Sequence, residues 1–287
     1  MIPRIVAALA GLAGLALAAC STAPQEANPA LWQVVDTKGN VGWLFGTIHS
    51  AEHPLAWRTD KVGAALDKAG TIMVEVGNLA NDAEVAATFA ELARSRNEPP
   101  LSERIPAKNH KALAALLAKS GHEDGDFAAM DTWAAALTIA RAGADDADTR
   151  NGVDRAVIAA AGNRPVVELE GAARQLGIFD ALPEREQRDL LAAVVVEAAQ
   201  PDHDLSASWR KGDMAAIERE TRTGMLADPE LREALFTGRN RDWTTKIARS
   251  IRSGARPFVA VGAAHMAGEQ GLAAMLATQG FTVTRIE

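Results

Sequence analysis

Two short apolar runs near the start of the chain, 31–35 (LWQVV) and 41–46 (VGWLFG), flank the polar stretch Asp36-Thr37-Lys38-Gly39-Asn40. That pattern predicts strand, turn and strand, with Gly39 taking the backbone angles the turn demands. Four further runs, 71–76 (TIMVEV), 164–169 (RPVVEL), 257–261 (PFVAV) and 281–286 (FTVTRI), are rich in β-branched residues and bounded by Gly or Pro, which predicts strands. Between them the apolar positions recur at helical spacing over 57–69, 82–96, 107–119, 131–141, 152–161, 183–199, 213–223, 241–253 and 266–279. Strands separated by helices indicate an α/β fold with a mixed sheet. The long interval between Leu169 and Pro257 reads mostly as helix, so a helical insertion or cap on one domain spanning 30–287 is expected.

The amino terminus follows a different pattern. Residues 1–4 carry one positive charge, and 5–19 form an uncharged run of Ala, Leu and Gly. As a helix, 5–19 would rise about 22 Å, short of the roughly 30 Å hydrocarbon core of a bilayer. Residues 1–19 therefore read as a signal peptide. The run ends Leu17-Ala18-Ala19-Cys20, which resembles a bacterial lipobox, in which the cysteine is lipidated and becomes the first residue; the alternative is ordinary cleavage with a free Cys20. Cys20 is the only cysteine, so the exported chain forms no internal disulfide and no thiolate metal site. Ser21, rather than Asp, follows it, which by resemblance to Gram-negative sorting rules favours the outer membrane, facing the periplasm. The composition of 20–29 is that of a short flexible tether.

Charge narrows the function classes. With 30 Lys+Arg against 37 Asp+Glu the net charge is −7, which gives no basic face for nucleic acid. Tyr is absent, no Gly-x-Ser-x-Gly occurs, and covalent serine or cysteine catalysis is not indicated. The run Asp145-Asp146-Ala147-Asp148 lacks the Gly and distal Glu of a calcium loop and reads as a solvated turn.

Two of the 6 histidines share one local pattern. The run 41–49 is an apolar strand ending in Gly46-Thr47-Ile48-His49, and 258–265 repeats it as Gly262-Ala263-Ala264-His265. Each projects an imidazole just past a strand end, where open α/β sheets bind ligands. Glu75, near the end of the run 71–76, is a carboxylate whose burial demands a partner such as an imidazole, an arginine or a metal ion. Two His and one carboxylate form a common ligand set for a divalent ion, Mn, Co or Zn, acting as Lewis acid. His53, His110, His122 and His203 lie in polar or helical contexts and read as surface residues. Arg239-Asn240-Arg241 precedes a helix and can face an anion or a carboxylate; the alternative is a charge cluster at a helix start.

Gly46-Thr47-Ile48-His49 after a Trp-rich hairpin, Val74-Glu75-Val76, Gly238-Arg239-Asn240-Arg241-Asp242-Trp243, and the run from Val261 through His265 to Leu272 together resemble the TraB/GumN family. That family is similar to the TIKI metalloproteases and the ChaN/erythromycin-esterase group. Val167-Glu168-Leu169-Glu170, Gln175 and Leu182-Pro183 fall where family members carry a similar stretch. The resemblance implies that His49 and His265 are metal ligands or a catalytic base, with Glu75 the carboxylate beside them. It implies that Arg239 and Asn240 position substrate or stabilise an oxyanion.

Three functions follow as expectations. One is an envelope hydrolase of peptide or related acyl bonds, dependent on a metal at His49, Glu75 and His265. The metal-free form has one histidine acting as general base, oriented by Glu75. A different class is a lipid-tethered binding protein that captures a peptide or envelope ligand without turnover.

Overall fold

The computed structural model describes residues 23–77, 82–143, 149–200 and 205–287. The signal segment, Cys20, the acidic run 145–148 and His203 lie outside the described residues. Among the described residues there are eight strands: β1 (Gln25–Glu26), β2 (Leu31–Val35), β3 (Val41–Thr47), β4 (Leu55–Ala56), β5 (Thr71–Val74), β6 (Val166–Glu168), β7 (Pro257–Gly262) and β8 (Thr282–Arg285). Six form one sheet in the order β6-β5-β7-β3-β2-β8, and β1 pairs with β4 in parallel. All six strands of the main sheet are those predicted by the apolar runs. β6, β5, β7 and β3 run parallel, whereas β2 is antiparallel to both β3 and β8.

The central strands are buried on both faces, which is why they read as continuous apolar runs rather than as alternating ones. Phe45, Ile72, Val74, Phe258 and Ala260 face one layer, with Val62 and Leu66 of helix Asp60–Lys68, Val157 of helix Val153–Ala159, and Trp209. Leu44, Met73, Val259 and Val261 face the other, against Trp243, Ile247 and Ile251 of helix Gly238–Arg252 and Leu272 and Leu276 of helix Leu272–Thr278. The two-residue alternation puts neighbouring positions on opposite sides of the sheet.

A third apolar cluster stands apart from the sheet. It joins Leu113, Leu116, Trp133 and Ile139 to Leu190, Leu191, Val195 and Leu235. The helical cap therefore draws on two stretches of chain, one after β5 and one after β6, where the sequence suggested only the interval after Leu169. Neither stretch buries its apolar stripe alone; each supplies half of a shared core.

Three local expectations are corrected. β5 ends at Val74, so Glu75 follows the strand rather than lying within it. The single helix expected over 266–279 is split into a 3₁₀ turn, Ala263–Met266, and helix Leu272–Thr278. Gly268, at φ +70°, makes the break. Arg239 and Asn240 lie inside the first turn of helix Gly238–Arg252, continuous with the π-helical segment Glu233–Thr237, rather than before it. Within the presumed tether 20–29, residues from Gln25 onward touch the domain: Gln25–Glu26 pairs with Leu55–Ala56, and the Asn28 amide donates to the Arg210 carbonyl at 2.7 Å. No helix among the described residues is long and apolar enough to cross a membrane.

Candidate active site

Three adjacent parallel strands, β3, β7 and β5, end on the same edge of the sheet, with Thr47 opposite Gly262 and Val74 opposite Ala260. His49 lies two residues past the end of β3, Glu75 immediately follows β5, and His265 lies in the 3₁₀ turn after β7. Parallel pairing thus brings together side chains from opposite ends of the chain. Gly262 marks the meeting point. The position of the Cβ it lacks lies 3.4 Å from Glu75 Oε1, 3.8 Å from His265 Cδ2 and 3.8 Å from His49 Nε2. The glycine leaves this space open.

The two imidazoles differ in every respect that matters chemically. His265 is 7 % exposed. Its ring stacks on Phe236 at 5.4 Å and tilts against Trp243 at 4.5 Å. Asn240 Nδ2 donates to the Gln270 carbonyl, so Asn240 Oδ1 is the acceptor for His265 Nδ1–H at 2.6 Å. His265 Nε2 then accepts from Arg239 Nη1 at 3.3 Å. Burial lowers the His265 pKa to about 4, which keeps the ring neutral at pH 7.

His49 instead leaves 66 % of its side chain open to solvent. Its Nδ1 meets Asp154 Oδ2 at 2.7 Å, which aims Nε2 at the crevice. The hydrogen bond to Asp154 raises the His49 pKa above 6.5, against the opposing effect of desolvation, and the charge of Glu75 adds to it. Asp154, in the first turn of helix Val153–Ala159, is buried. Orientation by Asp154 replaces the orientation by Glu75 that the sequence suggested.

Glu75 is 8 % exposed and multiply held. Oε1 accepts the Gly262 amide at 2.8 Å; Oε2 accepts Arg239 Nη2 at 2.7 Å and Gln175 Nε2 at 3.2 Å. Burial alone would raise its pKa. His265, protonated in the acid range where Glu75 titrates, together with Arg239, His49 and the Gly262 amide overcomes that and holds it at about 2.

Arg239 is the hub of the buried cluster. Nε and Nη2 grip Glu170, whose side chain is 2 % exposed, and Nη2 also meets Glu75. Nη1 donates to the Leu235 carbonyl and to His265. The guanidinium lies 4.5 Å over the Trp243 ring. All five N–H groups are thereby engaged, so Arg239 offers charge to the crevice but no free donor for an oxyanion. Asn240, fully buried, holds His265 and does not face a substrate. The expected substrate-facing roles for this pair give way to positioning ones.

Among residues to which the sequence assigns no role, Glu170 and Gln175 lie in the stretch resembling the family, and Asp154 lies outside the motifs. Its signal was available: it is a carboxylate among Val153, Val157 and Ile158 on a buried helix face, and such a group needs a partner.

Comparison with known proteins follows the same span. The family model described as the TraB/PrgY/gumN family matches residues 30–285. The chain is similar to the uncharacterized protein YbaP of Escherichia coli strain K12, 25% identical over 261 residues, covering 87% of this chain and 94% of YbaP. The uncharacterized protein YbaP of Shigella flexneri is 25% identical over 242 residues, covering 81% of this chain and 86% of that protein. No solved structure matches.

Proposed function

The chain belongs to the TraB/PrgY/gumN family, and from that premise we propose that it is a hydrolase of peptide or related acyl bonds, with His49 as the group that activates water. One observation carries the reading: His49 Nδ1 is fixed by Asp154, while Nε2 opens on the point shared with Glu75 and His265. In the proposed reaction Nε2 takes a proton from water as its oxygen bonds to the acyl carbon. The imidazolium, stabilised by Asp154, returns the proton to the leaving nitrogen or oxygen as the acyl bond breaks. A pKa raised from 6.5 suits a base working near neutral pH. The protein would act in the cell envelope, held at the outer membrane by lipid on Cys20.

A second reading is a divalent ion, Mn, Co or Zn, at His49, Glu75 and His265. Three ligand-type side chains surround one point and carboxylates are in excess, Glu75, Asp154 and Glu170 against Arg239, but the ligand atoms of His49, Glu75 and His265 are not among those that all lie within 4.8 Å of one another. Such an ion would polarise the acyl carbonyl and lower the pKa of water. The fit is partial. His49 Nε2 and Glu75 Oε1 face the crevice, whereas His265 Nε2 is engaged by Arg239.

One experiment separates these. Mature protein purified without chelators is analysed for metal and assayed on a peptide library, with and without EDTA, beside His49→Ala, His265→Ala and Asp154→Asn. Hydrolysis that survives EDTA and disappears in His49→Ala and Asp154→Asn supports the base. Loss with EDTA and recovery with Mn²⁺, Co²⁺ or Zn²⁺ supports the ion. No hydrolysis under any condition, with variants that bind peptide like wild type, leaves a non-catalytic binding protein and overturns the enzyme.

A further inference from the structure

Arg239 also lines an open groove of about 690 Å³ bounded by the cap. Ile178, Leu182 and Ala234 form part of its apolar wall, and Glu186 and Glu230 lie on it. One carboxylate oxygen from each of Glu186, Asp228 and Glu230 lies within 4.8 Å of the others. Acidic groups gather on many surfaces without consequence, but this set has a second property. The Glu186 side chain is only 7 % exposed. Its Oε1 pairs with Arg185, whereas Oε2 is buried with no hydrogen-bond partner. A desolvated carboxylate oxygen lacking a donor is costly, and a bound cation removes that cost.

The other two donors are disposed to help. Asp228 caps the following turn through Oδ1 alone, accepting the amides of Glu230 and Leu231 at 3.0 Å each, which leaves Oδ2. The cation already present, Arg185, is 71 % exposed and lies 2.7 Å from Glu186 but 3.7 Å from Glu230. One solvated guanidinium thus faces Glu186 and Glu230, and Asp189, one turn beyond Glu186, adds a further carboxylate. The donors are all oxygen, with no imidazole or thiolate, which selects a hard ion over zinc.

We propose that Glu186, Asp228 and Glu230 bind a hard divalent cation of the calcium class, which ties the start of helix Glu184–Ala198 to segment 228–230 and fixes one wall of the groove. The site is separate from the histidines and does not depend on the hydrolase reading.

Calorimetric titration of Ca²⁺ into metal-free mature protein, with melting temperature alongside, tests this. The expected result is one site with a dissociation constant of roughly 0.1–1 mM, typical of extracellular oxygen-ligand sites, and a melting temperature that rises with Ca²⁺. Glu186→Gln keeps the shape and removes the charge, and is expected to weaken binding at least tenfold. Glu230→Gln, at an exposed position where folding is not at stake, is expected to do the same. The His49→Ala/His265→Ala double variant is expected to bind Ca²⁺ like wild type. Absence of both heat and melting shift at roughly ten times the expected dissociation constant, or unchanged affinity in both Gln variants, overturns the proposal.

Discussion

At the scale of single residues, the site is defined by what each polar atom is already doing. His49 keeps one nitrogen for Asp154 and one for the crevice; His265 has both nitrogens engaged. Asp154→Asn removes the carboxylate charge while keeping the side-chain shape. The His49 pKa, followed by NMR titration of its ring carbon, is expected to fall from its raised value, and hydrolysis to drop roughly 10²-fold or more. An unmoved titration would remove Asp154 from the mechanism. Arg239 makes the opposite kind of prediction. Truncation to Ala leaves Glu75 and Glu170 buried without their cation, and is expected to cost about 3–5 kcal/mol in urea unfolding. Lys at that position supplies charge but not the fork that reaches both carboxylates, so it is expected to recover only part of the loss.

Secondary-structure elements explain why the same Gly-x-x-His pattern occurs twice for different reasons. A Cβ on Gly46 would lie 2.9 Å from the Ala263 backbone, so this glycine lets the turn after β7 pack on β3. Gly46→Ala is expected to destabilise by about 1–3 kcal/mol. Gly262 has φ −46° and ψ 133°, and its nearest neighbours are side chains at 3.4 Å or more. Gly262→Ala is expected to leave stability unchanged or raise it by up to about 1 kcal/mol, while abolishing activity because the methyl occupies the shared point. Thermal melts and the peptide assay on both variants check the pair. These elements were legible because β-branched runs bounded by Gly and Pro carry a strong local signal. Their ends were less so: nothing local in Val74-Glu75-Val76 says that Glu75 will accept the amide of Gly262 from another strand.

Across the whole molecule, the cluster couples stability to pH. His265 is held at about 4, below its ordinary 6.5, so between those values the unfolded chain takes up a proton that the native site refuses. Stability is therefore expected to fall as pH drops from 6.5 to 4. Glu75, held at about 2 rather than 4.5, adds a loss between pH 4.5 and 2. His49, with its raised pKa, acts in the opposite sense. The clean check is a comparison of urea midpoints across pH 7 to 4 for wild type and His265→Gln, in which the variant is expected to show the flatter curve. The fold class and the convergence of His49, Glu75 and His265 could be read from strand ends and repeated motifs. The Arg239–Glu170 pair and the composite cap could not, because neither is marked by a repeated local motif such as the Gly-x-x-His that flags the two histidines.

β7 lies between β3 and β5 in the sheet but follows both by a long stretch of chain. As the chain emerges, β3 and β5 arrive with their facing edges unpaired, and the slot between them stays vacant until Pro257–Gly262 follows. Closure of the sheet is thereby deferred until that late strand is available, favouring a slow folder whose open edges need shielding from other chains.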